Sequence, residues 1–456
     1  MNSSLRVAVI GAGPAGIYAS NILRQNEPSA SIDLYESLPS PYGLIRYGVA
    51  PDHPRIKGIV NSLHEMLAGD GIRPIGNVHI GRDLSVDDLR GLYHAVIFAT
   101  GADKDALFAL PGLDLSGSYG AADFVSWYDG HPDVPRDWPL DATDVAVLGN
   151  GNVALDVARV LAKHPIDMLS TDVPENVYRH LEGSPVTDVH VFGRRGPADI
   201  KFTPIELREL GEIAGVDIVL EERDFAYPVD ESELRTNQQK IMARTLDSWR
   251  GLPSTGASRR LHLHFYHEPL ALVGDGRVEA IRFARTEPVA GGGVRRTGEE
   301  LEYAVQSVYR AIGYRGAPVD GVPFDEAGGV IRNVGGRVVD SSGTQMPGIY
   351  ATGWIKRGPV GLIGHTKSDA QETIANLLSD AAEFAAPAAP DQSAPFALLD
   401  ERGVEYTTWE GWLTLDAHER ALGEADTSPV ERERVKVVPR DEQVEISRGG
   451  VSVPVA

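Results

Sequence analysis

Two stretches of this chain have nearly the same pattern, a run of small apolar residues that ends in Gly-x-Gly. They are VAVIGAGPAG, from Val7 to Gly16, and VAVLGNGNVALD, from Val145 to Asp156. In such a turn the first glycine permits the tight bend, the second lets a phosphate approach the backbone, and a small third residue lets the helix pack on the strand. Because the N–H groups of a helix N-terminus favour an anion, both stretches predict a diphosphate-binding turn between a strand and a helix.

The flanking sequence predicts regular elements on both sides of each turn. Around the first turn they are strand 5–10, helix 14–25, strand 31–35, a helix around 55–68 and strand 94–99. Around the second turn they are strand 145–148, helix 153–163 and strand 189–192, followed by alternating, antiparallel-type strands over 261–310. The pattern predicts an α/β protein with two Rossmann-like (ββα) dinucleotide-binding domains.

The strand that would contact the ribose ends differently in the two copies. The first ends at Glu36, where an acidic side chain accepts hydrogen bonds from a ribose. The second ends in Arg194 and Arg195, which suit the 2′-phosphate of NADP because an arginine binds phosphate through two parallel hydrogen bonds. That strand comes later than the usual spacing of about 20 residues, so an insertion must intervene. We therefore predict FAD at the first turn and NADP(H) at the second, as a hydride relay.

Composition limits the chemistry that the chain can carry. The 456 residues include no cysteine, which excludes disulfides and cysteine-held iron–sulfur clusters, so an organic cofactor must carry the electrons. A net charge of −22 disfavours nucleic acid as a partner. No Cys/His cluster has metal-ligand spacing, so we expect no metal. No apolar run is long enough to span a membrane and the N-terminus leads straight into a strand, so we expect a cytoplasmic protein.

Several stretches, taken in order, carry a resemblance to a known family. They are VIGAGPAG, YGLIRYGVAPDHP, VLGNGNVALDVAR, VFGRRGP with FTPIELREL, and GWIKRGPVGLIGHTKSDA. Over residues 1–380 the chain resembles the adrenodoxin reductase-type ferredoxin–NADP⁺ reductases of the actinobacterial kind. The resemblance implies a discontinuous FAD-binding domain, 1–105 and 320–385, into which an NADP-binding domain, 106–319, is inserted. Residues 386–456 are then a linker and a C-terminal extension of unknown role, and we expect a monomer or a weak dimer.

The same resemblance implies which residues contact the cofactors. For FAD they are Gly11, Gly13, Ala15 and Gly16 at the turn, Glu36, Leu44, Val78, and then Trp354, Gly361, Leu362 and Ile363 near the isoalloxazine. For NADP they are Asn150, Gly151, Asn152, Val153, Arg194, Arg195 and Glu206. His53 and Glu209 match a catalytic pair near the nicotinamide and the flavin, where a titrating side chain is useful. The alternatives are that His53 only orders a proline-rich loop and that Glu209 is merely an exposed helix residue.

The function implied is that NADPH gives hydride to FAD and that single electrons then pass to an iron–sulfur ferredoxin. A basic patch over 235–260, including Lys240, Arg244, Arg259 and Arg260, is the candidate docking surface, since local charge can steer an acidic partner even on an acidic protein. Two alternatives stay open. One is a flavoprotein monooxygenase, or an NADPH diaphorase or quinone reductase, although no added substrate domain is visible for a monooxygenase. The other is a module that senses NADP(H) without turnover.

Overall fold

The computed structural model describes residues 4–227, 234, 236–290, 292–361 and 363–449. Within them the chain forms two compact units. Unit 1 takes residues 1–104, 129–133 and 314–456, and unit 2 takes 105–128 and 134–313, each as far as it is described. Unit 1 thus includes residues 129–133, which lie within the 106–319 range expected for the NADP-binding domain, and it also includes the C-terminal residues.

The strands of the described chain follow in order. They are β1 Arg6–Ile10, β2 Ser31–Tyr35, β3 Ile72–Gly76, β4 Ala95–Phe98, β5 Lys104–Asp105, β6 Ser118–Gly120, β7 Asp144–Leu148, β8 Asp188–Phe192, β9 Val216–Leu220, β10 Arg259–His264, β11 His267–Val273, β12 Ala280–Pro288, β13 Val294–Ala304, β14 Ser307–Arg310, β15 Tyr314–Arg315, β16 Phe324–Asp325, β17 Val330–Ile331, β18 Asn333–Val334, β19 Arg337–Val339, β20 Gln345–Ala351 and β21 Thr407–Thr408.

The α-helices lie between these strands and after them. They are α1 Pro14–Asn26, α2 Leu44–Tyr47, α3 Pro54–Lys57, α4 Ile59–Leu67, α5 Val86–Leu92, α6 Ala121–Tyr128, α7 Asn152–Ala162, α8 Glu175–Glu182, α9 Pro204–Gly211, α10 Asn237–Trp249, α11 Trp354–Arg357, α12 Ile363–Asp380, α13 Ala394–Glu401, α14 Trp409–Glu424 and α15 Arg440–Ser447. The single helix expected around 55–68 is two short helices, α3 and α4, which meet at Gly58.

A mostly parallel sheet forms the centre of unit 1. Its order in the described residues is β18-β19-β20-β4-β1-β2-β3-β21. The five central strands, β20, β4, β1, β2 and β3, are parallel to one another, whereas β19 and β21 pair antiparallel with β20 and β3. β1 is buried along its whole length, as a parallel strand covered on both faces must be. Because β1 lies between β2 and β4, the turn after it opens at the carboxyl edge of the sheet, where ligands bind in such folds.

Unit 2 has its own parallel sheet, in the order β6-β14-β7-β8-β10-β9. β7, which precedes the second turn, lies between β14 and β8 and is almost wholly buried. The alternating sequence over 261–310 contributes β10 and β14 to this sheet and a separate antiparallel sheet, β11-β12-β13. Phe192, Phe283 and their apolar neighbours lie in one buried cluster of the unit.

The C-terminal residues, expected to be a linker and an extension, pack into unit 1. β21 pairs with β3 at the edge of the main sheet, and Trp412 of α14 lies in the same buried cluster as β1 and α1. Glu419 of α14 forms a buried ion pair with Arg46 of α2 at 2.5 Å. Lys436 is buried as well, and its Nζ donates to the carbonyls of Arg46 and Asp129 at 3.0 Å each. The segment is therefore part of the interior of unit 1.

Candidate nucleotide-binding sites

The first turn joins β1 to α1 through a backbone that only glycine fits. Gly11 has a φ of +106° and donates its N–H to the carbonyl of Tyr35 at 2.7 Å. A Cβ at Gly11 would lie 2.5 Å from the carbonyl oxygen of Ala99, and one at Gly16 would overlap the carbonyl oxygen of Gly11. Packing within the chain thus accounts for these two glycines.

Gly13 has no such reason to be a glycine. Its φ is −76°, and a Cβ there would meet only the Cα of Gly43, at 3.9 Å. In the part of the chain that is described, no side chain caps the N-terminus of α1, whereas α5 and α10 begin with capping boxes. Open space beside a glycine and uncapped N–H groups at the start of a helix both fit a diphosphate.

Glu36, the predicted ribose contact, forms hydrogen bonds with the first turn. Its Oε2 accepts the N–H of Ala12 at 2.8 Å, and its Oε1 accepts the N–H of Leu38 at 3.1 Å and the Ser37 hydroxyl at 3.0 Å. Burial raises the pKa of Glu36 in spite of these hydrogen bonds. The carboxylate therefore holds the turn and the end of β2 in one fixed arrangement, as a site for a ribose beside a diphosphate requires.

Trp354 stands at the start of α11, which a buried polar cluster holds in place. The N–H of Gly353 donates to Asp369 Oδ2 at 2.5 Å. Lys356, only 8% exposed, pairs with Asp369 at 2.8 Å and with Glu372 at 2.6 Å. These contacts join α11 to α12 and fix the position of the Trp354 backbone.

The remaining predicted residues of unit 1 have different surroundings. Leu44 is half-buried at the start of α2, and Val78 is buried with its N–H donating to the carbonyl of Glu36 at 2.9 Å. Gly361 is exposed. Leu362 lies outside the described residues, and Ile363 is the first residue of α12.

His53 is buried in the loop that leads to α3. Its N–H donates to the carbonyl of Ala50, and its carbonyl accepts the N–H of Lys57, at 3.0 Å each. This backbone role is the one that the loop-ordering alternative expects. A catalytic role for His53 therefore stays a prediction.

The second turn, like the first, has one glycine that packing requires and one that has open space beside it. Gly149 has a φ of +146°, and a Cβ there would overlap the carbonyl oxygen of Ala311. Gly151, in contrast, has a φ of −104°, and apart from its neighbours in sequence no atom of the described chain lies within 4 Å of the place where its Cβ would be. α7 begins directly after Gly151 without a side-chain cap among the described residues and without an acid in its first turn. The second turn thus offers the same open approach to an anion as the first.

Two arginines follow β8 as predicted, and their guanidinium groups are available. The backbone carbonyls of Arg194 and Arg195 accept from the Thr286 hydroxyl at 2.8 Å and from the N–H of Tyr266 at 3.2 Å. Arg194 is exposed and Arg195 half-buried. Neither guanidinium forms an ion pair with any residue that the structure describes. Arg296 lowers the pKa of Glu268, and the Arg194 guanidinium contributes to this shift without forming an ion pair with Glu268. A fixed backbone that carries two guanidinium groups without ion pairs among the described residues suits a phosphate.

Asn152 and Glu206 belong to one buried polar cluster in unit 2. Asn152 Oδ1 accepts the N–H of Thr203 at 3.1 Å, and its Nδ2 donates to Glu206 Oε1 at 3.4 Å. Arg159, 3% exposed, lies 2.9 Å from Asp156, 3.9 Å from Glu206 and 3.8 Å from Glu209. This cluster joins α7 to α9, and it contains the Glu209 carboxylate that the sequence proposed as catalytic.

Known proteins resemble this chain along almost its whole length. The model of the pyridine nucleotide-disulphide oxidoreductase family matches residues 5–178. The NADPH-ferredoxin reductase FprA of Mycobacterium tuberculosis is 37% identical to this chain, over 97% of it and 99% of the relative. The chain belongs to the NADPH-ferredoxin and adrenodoxin reductase family. The mitochondrial NADPH:adrenodoxin oxidoreductase of Bos taurus is 38% identical, over 94% of this chain and 89% of the relative.

A solved structure of a family member agrees with the fold. The structure of Mycobacterium tuberculosis FprA in complex with NADPH matches with a TM-score of 0.90 at 37% identity, over 98% of this chain and all of the other. The α/β fold class, the family and the cofactors FAD and NADP(H) are therefore confirmed as predicted. Since the chain has no cysteine, the disulphide chemistry in the name of the wider family is excluded here. None of the described helices is long and apolar enough to cross a membrane.

Sequence reasoning missed the residues that hold the predicted ones in place. Asp156 and Arg159 lie one helical turn apart in α7 and support Glu206 and Glu209. Thr203 caps α9 and orients Asn152. The spacing of Asp156 and Arg159 is a visible i, i+3 pair, but it is indistinguishable in sequence from a pair on an exposed helix face.

Proposed function

We propose that this reductase binds FAD at the turn in unit 1 and NADPH at the turn in unit 2, and passes electrons singly to an iron–sulfur ferredoxin. The observation that carries the proposal is that Arg194 and Arg195, in the unit that contains the open turn at Gly151, form no ion pair with any described residue. Two guanidinium groups at the end of the strand that contacts the ribose select the 2′-phosphate, which distinguishes NADPH from NADH. FAD, when bound, supplies a two-electron acceptor that can release its electrons one at a time.

Each step of binding falls to residues already described. The N-terminus of α1 and the space beside Gly13 would hold the FAD diphosphate, and Glu36 its ribose. The N-terminus of α7 and the space beside Gly151 would hold the NADPH diphosphate. Trp354, in its fixed position at the start of α11, would orient the reacting ring of the flavin and exclude water from it.

The deciding experiment compares the two nicotinamide nucleotides. Under argon, NADPH should bleach the flavin absorption of the purified protein much faster than NADH. The Arg194→Ala/Arg195→Ala variant should lose about 10-fold or more in NADPH affinity, because a hydrogen bond to a charged group contributes about 1.5–3 kcal/mol, and should treat NADH as before. Arg282→Ala, which removes an exposed arginine of the same unit, is the control. Equal losses for both nucleotides would contradict the assigned role of the pair.

The electron acceptor is tested separately. Reduction of cytochrome c that depends on added ferredoxin supports the ferredoxin reductase. Reduction of quinones at the same rate without ferredoxin supports the diaphorase alternative, and a flavin that neither nucleotide reduces supports the sensing module.

We propose a smaller docking surface for ferredoxin than the sequence suggested. Arg260 is bound to Asp188, Arg259 donates to the carbonyls of Ala162 and Lys163 at the end of α7, and Arg250 pairs with Glu222 and Asp247. Arg235 lies outside the described residues. Lys240 and Arg244 lie on α10, where Lys240 is half-buried and Arg244 exposed, and we keep them as candidates because of this exposure. Their replacement by Glu should raise the KM for ferredoxin at low salt and have little effect at high salt, because salt screens exposed charges; an unchanged KM would reject this surface.

His53 and Glu209 are proposed to act on proton transfer near the reacting rings. His53→Gln and Glu209→Gln should lower kcat and change its pH profile while the flavin content stays at that of the unsubstituted protein. If only the thermal stability changes, the two residues are structural.

A further inference from the structure

Three histidines that the cofactor sites do not use lie on one face of the unit 2 sheet. His262 and His264 alternate along β10, so both side chains are on the same side of the strand. His190 of β8 stands directly opposite His262 in the parallel register. His190 and His264 are 74 residues apart in the chain, so spacing along the sequence gives no sign of the cluster.

The imidazole nitrogens of these histidines are close together. His190 Nδ1 and His264 Nε2 are 3.0 Å apart and share a hydrogen bond. The ring of His262 lies 4.1 Å from that of His190, centroid to centroid. One nitrogen from each of the three rings can be chosen so that all lie within 4.8 Å of one another.

Carboxylates surround the cluster on its outer side. His262 Nε2 is 2.8 Å from Asp188 Oδ1, and Asp188 is itself held by Arg260. His264 Nδ1, on a side chain that is 1% exposed, lies 3.6 Å from Asp224 Oδ2. A histidine that binds a metal typically presents its other ring nitrogen to a carboxylate, which fixes the tautomer and strengthens the ligand.

The rings are neutral at ordinary pH. Burial lowers the pKa of His190 and of His264 to about 3, and it lowers that of His262 as well. Each ring therefore has one nitrogen that carries no hydrogen and whose lone pair can bind an ion. His190 and His262 are partly exposed, so an ion can reach this end of the cluster from solvent.

We propose that His190, His262 and His264 form a binding site for one divalent transition-metal ion of the zinc type. Three imidazoles suit Zn²⁺, Ni²⁺ or Cu²⁺, with water completing the coordination. At metal–nitrogen distances of about 2.0–2.1 Å, two ligands of a tetrahedral ion are roughly 3.3–3.4 Å apart. His190 Nδ1 and His264 Nε2 thus need to separate by only a few tenths of an ångström, with a turn of the rings that aims both lone pairs at the ion. The ion takes the place of the shared hydrogen, and the ring that carries this hydrogen changes tautomer to carry it on its other nitrogen, so no proton is lost.

The proposed site lies next to the segment that carries Arg194 and Arg195. The segments that follow β8 and β10 stay paired beyond the strand ends, where Gly193 donates to the carbonyl of His264 at 2.9 Å and His267 donates to that of Gly193 at 3.0 Å. Arg194 and Arg195 follow immediately. An ion bound between the two strands would therefore hold together the strand ends that position these arginines.

The test uses the full-length protein with its flavin, freed of metal by a chelator and then dialysed against ZnCl₂. We expect one Zn²⁺ per chain and a rise of several degrees in Tm, as for any ligand that binds only the folded state. His190→Gln and His264→Gln should weaken Zn²⁺ binding by at least about 10-fold, one ligand contributing at least 1.4 kcal/mol. His79→Gln, an exposed histidine of unit 1, should bind Zn²⁺ like the unsubstituted chain.

A second measurement does not depend on the folding of any variant. Cu²⁺ added to the unsubstituted protein should give an electron paramagnetic resonance spectrum with coupling to three imidazole nitrogens. Absence of stoichiometric binding, coupling to fewer than two nitrogens, or undiminished Zn²⁺ affinity in a folded His190→Gln variant would overturn the site.

Discussion

Gly151 offers a way to separate nucleotide binding from folding. Because a Cβ placed on Gly151 would have no atom of the described chain within 4 Å apart from its neighbours in sequence, Gly151→Ala should leave the fold intact. The expected cost is about 1 kcal/mol, since alanine is a poorer N-cap residue than glycine. The new methyl group, however, occupies the space in which a diphosphate must approach the N–H groups of α7.

The affinity loss follows from the contacts that this methyl group displaces. Losing one or two hydrogen bonds to a charged group, at about 1.5–3 kcal/mol each, weakens binding by a factor of roughly 10 to 10⁴. The diphosphate is common to NADPH and NADH, so the affinity for both nucleotides should fall equally. The Arg194→Ala/Arg195→Ala variant, in contrast, should lose affinity for NADPH alone. Titration calorimetry with NADP⁺ and NAD⁺ measures the loss, and thermal unfolding of the flavin-loaded protein measures the stability.

Gly149→Ala is the matched control, two residues away in the same turn. Its φ of +146° and the overlap of its Cβ with the Ala311 carbonyl should lower the Tm sharply, because the strain falls on the backbone itself. The reasoning is refuted if Gly151→Ala binds NADP⁺ as tightly as the original chain, or if Gly149→Ala proves equally stable.

Three further predictions concern other parts of the molecule. Gly13→Ala should leave the apoprotein folded but reduce the flavin retained after gel filtration, and full retention would contradict the proposed role of the space beside Gly13. Glu419→Gln should lower the free energy of unfolding by about 3–5 kcal/mol, because Arg46 stays buried without its charged partner. Asp87→Asn, in an exposed pair, should change it by less than about 1 kcal/mol, and chemical denaturation measures both. Burial lowers the pKa of His267 to about 3, whereas a histidine in the unfolded chain titrates near 6.5. Between these two values the unfolded chain binds more protons than the folded chain. The stability of the folded chain therefore falls as the pH falls from about 6.5 to 3. His267→Asn should flatten this dependence by about 1.4 kcal/mol per pH unit, and an unchanged slope in urea unfolding across this range would contradict the assignment.

The parts of the fold that sequence predicted well are those with local causes. β1 at Arg6–Ile10 and α1 at Pro14–Asn26 depend on a short apolar run, a glycine turn and a proline in the first helical turn, all visible within 20 residues. The break at Gly58 was missed because one glycine in an apolar pattern is compatible with a continuous helix. The packing of the C-terminal segment was missed because β21 is two residues long and its partner, β3, is more than 300 residues away.

The same distinction applies to the candidate sites. Glu36, Arg194 and Arg195 stand at the ends of strands whose positions follow from the pattern, so sequence placed them correctly at those ends. That Arg259 and Arg260 are bound to internal partners could not be predicted, because the Ala162 and Lys163 carbonyls and the Asp188 carboxylate come from distant segments. A cluster of charges in sequence gives the net charge of a region, but only the structure shows which charges are already neutralised.

The strand order of unit 1 bears on how the chain is made. β4 lies between β1 and β20, which are separated by more than 300 residues, and all of unit 2 is encoded between β4 and β20. At synthesis rates of about 5–20 residues per second, the N-terminal strands wait roughly 12–50 s for their neighbour to emerge from the ribosome. Unit 2 is available for folding throughout that interval, while β4 has an unpaired edge of apolar residues. The newly made N-terminal segment is therefore the part of this protein most in need of a chaperone.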